Sequence, residues 1–153
     1  DYDVKNSGYN YRLDEIRAAL GISQIKQIKK MNLLRKKASD YYNKKLGSVQ
    51  GIVVPDKPVG MEHVHHLYVI RVTRKYGVTR DILFQKLLKA GIRTSVHYKP
   101  LHKFTIFKKS SKVGDKLSNS KDAYSQILSL PIYPSISKKQ QDLVIKNIKK
   151  YKA

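Results

Sequence analysis

The sequence contains no cysteine, which excludes disulfides and thiolate chemistry and leaves the redox environment open. No apolar run reaches the roughly 18 to 20 residues that a membrane-spanning helix needs. The first residues, Asp1-Tyr2-Asp3, lack the apolar segment of a signal peptide. We therefore expect a soluble cytoplasmic protein. Because the chain does not begin with methionine, we also expect it to be part of a longer one.

Acidic residues are scarce, with 11 Asp and Glu against 32 Lys and Arg and a formal net charge of +21 in 153 residues. A charge of this size attracts polyanions, so a stand-alone module that binds nucleic acid or another polyanion is one hypothesis. Against it, the excess is mostly lysine in pairs such as Lys29-Lys30 and Lys149-Lys150, and no zinc-finger spacing, basic leucine zipper or RNA-binding aromatic motif is present. A solvated surface explains the charge better, and it would also suit a diphosphate-bearing ligand.

Three histidines lie close together at His63, His65 and His66. Cysteine is absent, and no carboxylate is spaced so as to complete a ligand set with them. We therefore expect no metal site.

The apolar residues from Leu13 to Leu46 recur mostly three to five positions apart, which predicts a long helix. Gly21 or Asn32 is a candidate break. Gly47 is the predicted end, because glycine adopts the left-handed conformation cheaply.

The rest of the chain alternates short extended pieces and helices. Strands are predicted at Ile52–Pro55, His66–Val72 and Ile92–Tyr98. In the second of these, Tyr68, Ile70 and Val72 lie on one face. A helix is predicted at Arg80–Ala90, capped by Thr79 and burying Leu83, Leu87 and Leu88. A second is predicted at about Asn119–Leu128. A third is predicted at Lys138–Tyr151, where Ser137 and Gln140 form a capping box and Leu143, Val144 and Ile148 point inward. The polar stretch between Lys103 and Lys121 is predicted as a surface loop. This pattern indicates an α/β or α+β fold, in which a long N-terminal helix leads into a small, mostly antiparallel sheet covered by helices on one side.

The most informative stretch runs from Gly8 to Gly21, GYNYRLDEIRAALG. It places Asn10 and Arg12 just ahead of a helix, where backbone N–H groups, the helix dipole and a guanidinium converge. Taken alone, this pattern indicates only an anion site at a helix start.

The same stretch resembles a signature of the DegT/StrS-type sugar aminotransferases, which are pyridoxal phosphate (PLP) enzymes of the aspartate aminotransferase fold type. Further blocks resemble the family in the same order: HLYVIRV at 66–72, Arg80-Asp81, GIRTSVHYKPLH at 91–102 and LSLPIYP at 128–134. Four blocks in order across most of the chain make a specific match.

The resemblance implies that Asn10 contacts the phosphate of PLP in the active site of a neighbouring subunit, and that Arg12 helps to hold that region. The family's Schiff-base lysine lies upstream of this block, and no segment here matches it, so we expect no catalytic residue in the chain. Residues 1–46 would be a cofactor-contacting segment and interdomain helix, and 47–153 a small C-terminal domain. The large N-terminal PLP domain would be missing.

The resemblance also places His97 and Tyr98 near the substrate, where an imidazole and a phenol would hydrogen-bond a sugar hydroxyl, a phosphate or a carboxylate. His102 is a weaker candidate for the same role. Tyr133, between two prolines, is interpreted as a packing residue.

The leading hypothesis is the C-terminal portion of a PLP-dependent homodimeric aminotransferase that moves an amino group from a donor such as glutamate to a keto-sugar nucleotide. Such a reaction would serve cell-surface polysaccharide or amino-sugar synthesis. This portion alone would be inactive. Besides the polyanion-binding module, the alternatives are a PLP-dependent deoxysugar dehydratase and a degenerate subunit that supplies a phosphate-binding arm in trans.

Overall fold

A computed structural model of the chain describes residues 6–9, 11–56, 59–110 and 117–152, with the backbone alone at 108–110. In chain order the elements are α1 (Glu15–Leu46), β1 (Ile52–Val53), β2 (Tyr68–Val72), α2 (Arg80–Lys89), α3 (Thr105–Ser110), α4 (Ser118–Gln126), β3 (Ile127–Leu130) and α5 (Lys138–Lys150). Short 3-10 turns lie at Arg74–Tyr76 and Leu101–Lys103.

Helix α1 is continuous over 32 residues. It begins after Asp14, whose carboxylate accepts a hydrogen bond from the backbone N–H of Arg17 at 2.8 Å. The predicted break at Gly21 or Asn32 is wrong. A single glycine costs a helix only about 1 kcal/mol, and Asn32 Oδ1 accepts a hydrogen bond from the Arg35 guanidinium at 3.1 Å instead of competing for the backbone.

Helix α1 ends at Gly47 as predicted, but for a different reason. Gly47 has φ −61° and ψ −23°, so the left-handed conformation predicted for it is wrong. A Cβ at this position would lie 2.9 Å from the carbonyl oxygen of Asn43, which accepts a hydrogen bond from the Gly47 N–H at 3.0 Å. The missing side chain therefore allows the backbone to stay close to the last helical turn.

The three strands form one antiparallel sheet in the order β1-β2-β3. Tyr68 pairs with Leu130, and Ile70 pairs with Leu128. Tyr68, Ile70 and Val72 are buried on one face, as the alternation predicted.

Helices α1, α2 and α5 supply the apolar side chains that cover this face. The hydroxyl groups of Thr79 and Ser137 cap α2 and α5 as predicted, and Ser137 forms a full capping box with Gln140. The core consists of Tyr42, Leu46, Val49, Ile52, Tyr68, Ile70, Val72, Tyr76, Leu83, Leu87, Ile92, Leu128, Leu130, Val144, Ile145 and Ile148. Leu88 and Leu143, predicted to be buried, are about half exposed, because each lies at the margin of its helix's buried face.

The opposite face of the sheet meets α4. Arg71 of β2 donates hydrogen bonds to Asp122 at 3.1 Å and to Gln126 at 3.0 Å. These bonds join β2, the middle strand, to α4, which leads directly into the neighbouring strand β3.

The third predicted strand is misplaced. Segment 92–98 makes only an isolated bridge, between Ser95 and Ser129, and the third strand is Ile127–Leu130, whose first two residues were assigned to the preceding helix. An apolar run this short fits either element, and pairing with β2 decides for a strand. The predicted loop between Lys103 and Lys121 includes α3 and the start of α4.

The first two thirds of α1 expose their apolar residues, whereas its buried residues begin at Ala38. The exposed set is Ile16, Leu20, Ile22, Ile25, Ile28 and Leu33. Within the described ranges, no helix combines the length and the apolar composition needed to cross a bilayer.

Candidate functional site

The first candidate group lies just ahead of α1. Asn10 is outside the described residues, whereas Arg12 is exposed in the extended segment before the helix. Asp14 holds Arg17 through an ion pair of 3.2 Å from Nε to Oδ2, and Arg12 makes no ion pair with a described residue. Arg12 is therefore an exposed cation two residues before the Asp14 cap of a long helix, and no carboxylate of the described residues forms an ion pair with it.

The surroundings of Arg12 are open and aromatic. The rings of Tyr9 and Tyr11 lie 5.7 Å apart, and these residues are 87% and 86% exposed. This end of the chain therefore presents a cation and two phenols on its surface.

The second candidate group is held against β3. His97 Nδ1 lies 2.8 Å from Ser129 Oγ. The rings of His97 and Tyr98 are 4.7 Å apart in an edge-to-face arrangement, with Tyr98 71% exposed. The structure thus places a half-buried imidazole and an exposed phenol side by side.

Ser129 is the functional candidate that the sequence reasoning missed. It belongs to the block LSLPIYP, and its place between two apolar residues in a strand indicates that it faces away from them. The contact with His97 joins residues 32 positions apart and depends on the bridge to Ser95, so local pattern could not reveal it.

His102 lies on the 3-10 turn that follows this segment. Its Nε2 is buried, with no hydrogen-bond partner among the described residues, and the same is true of Thr94 Oγ1. A buried polar atom without a partner costs about 1 to 3 kcal/mol. Both atoms therefore favour a bonding partner from elsewhere, which is consistent with a site along 94–102.

Within the described part of the chain, no hydrogen bond or ion pair joins Arg12 to His97, Tyr98 or His102. Arg12 precedes a helix whose first core residue is Ala38, about 35 Å along the axis from Glu15.

The histidines at 63–66 form a local cluster. The rings of His63 and His65 are 4.5 Å apart, and His63 Nδ1 accepts a hydrogen bond from the His65 backbone N–H at 2.9 Å. Among the described residues, no three or more side chains are arranged so as to hold a metal ion.

Part of the basic surface lies at Tyr41, where α1 meets α5. The ammonium groups of Lys45 and Lys138 lie 5.8 and 5.6 Å from the ring centroid. The Tyr41 hydroxyl donates to Asp142, and this hydrogen bond raises the pKa of the phenol. The arrangement stabilises the contact between the two helices.

Comparison with known proteins decides the family. The sequence profile of the DegT/DnrJ/EryC1/StrS aminotransferase family matches residues 1–149. The chain belongs to this family. The resemblance inferred from the motifs is therefore confirmed.

Two relatives are similar to nearly the whole chain. Spore coat polysaccharide biosynthesis protein SpsC of Bacillus subtilis is 33% identical over 152 residues, which are 97% of this chain and 39% of that protein. The UDP-4-amino-4,6-dideoxy-N-acetyl-beta-L-altrosamine transaminase of Campylobacter jejuni is 32% identical over 148 residues, which are 94% of this chain and 38% of that enzyme. The chain thus spans about two fifths of the length of these relatives.

A solved structure confirms the fold class. The PLP form of Streptococcus pneumoniae Spr1654 matches with a TM-score of 0.82 at 28% identity, covering 99% of this chain and 39% of that one. The long helix and the small antiparallel sheet are therefore the arrangement found in part of that protein.

Proposed function

We propose that this chain is the C-terminal portion of a PLP-dependent sugar aminotransferase that transfers an amino group, with glutamate as the donor, to a keto-sugar nucleotide. The family match over residues 1–149 carries this proposal, and the sugar-transaminase relative supports the substrate class. The reaction would serve cell-surface polysaccharide or amino-sugar synthesis in the cytoplasm.

Residues 1–46 would act as the cofactor-contacting segment and interdomain helix, and 47–153 as the small domain. The exposed apolar residues of α1 favour this division, because a helix that is apolar outside the small-domain core needs cover from other parts of the protein. In this proposal the large PLP domain precedes the chain and carries the catalytic lysine. A homodimer shares each cofactor site between subunits.

The chemistry of the Arg12 end fits a phosphate. Arg12 is exposed, makes no ion pair with a described residue and precedes a 32-residue helix, so it offers the positive charge and the paired N–H donors that a phosphoryl group binds. Arg12, together with Asn10, would hold the phosphate of PLP. When bound, PLP supplies an electron sink for the substrate carbon. The chain's own part is to anchor and orient the cofactor.

The substrate would meet His97, Tyr98 and His102. His97 and Tyr98 offer an imidazole and an exposed phenol for hydrogen bonds with hydroxyl, phosphate or carboxylate oxygens. His102 Nε2 is buried and has no hydrogen-bond partner in the described part of the chain, which supports its place in the same site.

The test uses the full-length protein and titration of PLP followed by absorbance. Replacing Arg12 with alanine removes charged hydrogen bonds worth about 1.5 to 3 kcal/mol, which corresponds to a dissociation constant roughly 10 to 100 times higher. Asn10→Ala should also weaken binding. The control is Arg74→Ala, since Arg74 is an exposed arginine in the small domain.

Transamination is measured on the same proteins by mass spectrometry of the sugar nucleotide. Unchanged PLP affinity in both Arg12→Ala and Asn10→Ala would remove these residues from the cofactor site. A wild-type protein that binds PLP but produces no aminated sugar would refute the proposed reaction.

A further inference from the structure

Ser129 is fixed more tightly than a surface serine. It is 5% exposed, and its backbone N–H and C=O both bond to Ser95, at 2.8 and 3.2 Å. Its neighbours Leu128 and Leu130 face the apolar core, so the Ser129 side chain emerges on the other face of the sheet. The hydroxyl oxygen therefore has a defined position against His97.

The hydroxyl proton decides which nitrogen of His97 carries hydrogen. Among the described residues, His97 Nδ1 is the only hydrogen-bond partner of Ser129 Oγ. If Nδ1–H donated to Oγ, the hydroxyl hydrogen of a buried serine would have no acceptor there. If the hydroxyl donates to Nδ1, every buried donor of the pair is satisfied. The second arrangement requires the hydrogen of neutral imidazole to be on Nε2.

We propose that Ser129 is a positioning residue for His97, whose buried hydroxyl holds the imidazole in the tautomer that carries its N–H at Nε2. Nε2 lies across the ring from the buried contact and makes no hydrogen bond to a described residue. His97 therefore presents a fixed donor, suited to an acceptor oxygen such as that of a carboxylate or phosphoryl group. The identity of that oxygen as substrate rests on the proposed function, whereas the tautomer does not.

The experiment measures the rate at which diethyl pyrocarbonate modifies His97 in the full-length protein, followed by peptide mass spectrometry. The reagent needs a free nitrogen lone pair. In the proposed tautomer the outward nitrogen has none, and Nδ1 is covered by the hydroxyl. Removing the hydroxyl in Ser129→Ala lets the other tautomer form, and we expect modification about 5-fold faster, the ratio that one net hydrogen bond of ordinary strength supports.

Two variants and one internal reference control the measurement. Ser129→Thr keeps the hydroxyl and should retain the wild-type rate. Ser125→Ala removes a serine hydroxyl that bonds to the Asp122 carbonyl, away from His97, and should change nothing. His102, in the segment that follows, reports local opening within the same sample.

A faster rate at His97 alone in Ser129→Ala, with Ser129→Thr and Ser125→Ala at the wild-type rate, supports the proposal. An unchanged or slower rate in Ser129→Ala overturns it, and so does equal acceleration of His97 and His102, because that indicates opening of the segment. If the rates behave as expected but the wild-type protein shows no transamination, the assigned tautomer stands and the proposed function fails.

Discussion

Replacing Gly51 with alanine should destabilise this fold more than any other exchange of comparable size that we consider. Gly51 has φ +82°, and a Cβ there would lie 2.1 Å from the backbone nitrogen of Tyr76 and 2.4 Å from its Cα. The carbonyl of Gly51 also accepts hydrogen bonds from the Thr73 N–H at 2.8 Å and from the Thr73 hydroxyl at 3.1 Å. The added methyl group therefore meets backbone that is fixed from both sides.

The magnitude has two parts. The left-handed conformation costs a non-glycine residue about 1 to 2 kcal/mol. Displacing the turn that carries Tyr76, a fully buried residue whose hydroxyl donates to the Ile148 carbonyl, adds an overpacking cost of about 1 to 3 kcal/mol. We expect Gly51→Ala to lower the free energy of unfolding by about 2 to 5 kcal/mol.

The assay is urea unfolding of the chain followed by circular dichroism. Gly91→Ala is the matched control, because Gly91 has φ +77° but no atom within 4 Å of the added Cβ. It should cost only the conformational part, about 1 to 2 kcal/mol. Equal losses for the two variants would show that the close approach to Tyr76 carries no energy and would refute the reasoning.

Two further predictions concern a buried phenol and a helix cap. Burial raises the pKa of Tyr76 from 10.0 to about 12, so its contribution is complete below pH 10 and is lost as the pH rises through 12. Between pH 9 and pH 11 the wild type should lose about 1.4 kcal/mol more stability in urea than Tyr76→Phe, and equal losses would contradict this. Ser137→Ala removes the hydroxyl that accepts from the Gln140 N–H at 3.2 Å and should cost about 1 kcal/mol in the same assay. The exposed Ser135→Ala should cost nothing measurable, and an equally small effect at both serines would show that the cap does not contribute.

Local signals in the sequence were sufficient for the starts of α2 and α5, although they missed α3. Thr79 and Ser137 cap α2 and α5 because a hydroxyl and a backbone N–H three residues later need no help from distant residues. Strand β3 was missed because its apolar run is equally compatible with the end of a helix. Only pairing with β2, more than 50 residues earlier, makes Ile127 extended.

At the candidate site, too, some residues could be predicted from the sequence and others could not. The resemblance placed His97 and Tyr98 near the substrate, and that role stays a prediction; the structure adds that their rings pack edge to face, 4.7 Å apart. Ser129 could not be found in advance, because its contact depends on which residue of the 92–98 segment bridges β3. The role of Arg12 in cofactor binding stays a prediction.

The unbroken α1 acts as a lever. Its first buried residue, Ala38, lies 23 positions after Glu15. About 35 Å of rigid helix therefore separates Ala38 from the N-terminal end of α1, which Arg12 precedes. A tilt of the helix by about 5° at Ala38 would move its N-terminal end by about 3 Å, which is the length of a hydrogen bond. A change that loosens the packing of α1 against α5 would therefore displace Arg12, far from the altered residue.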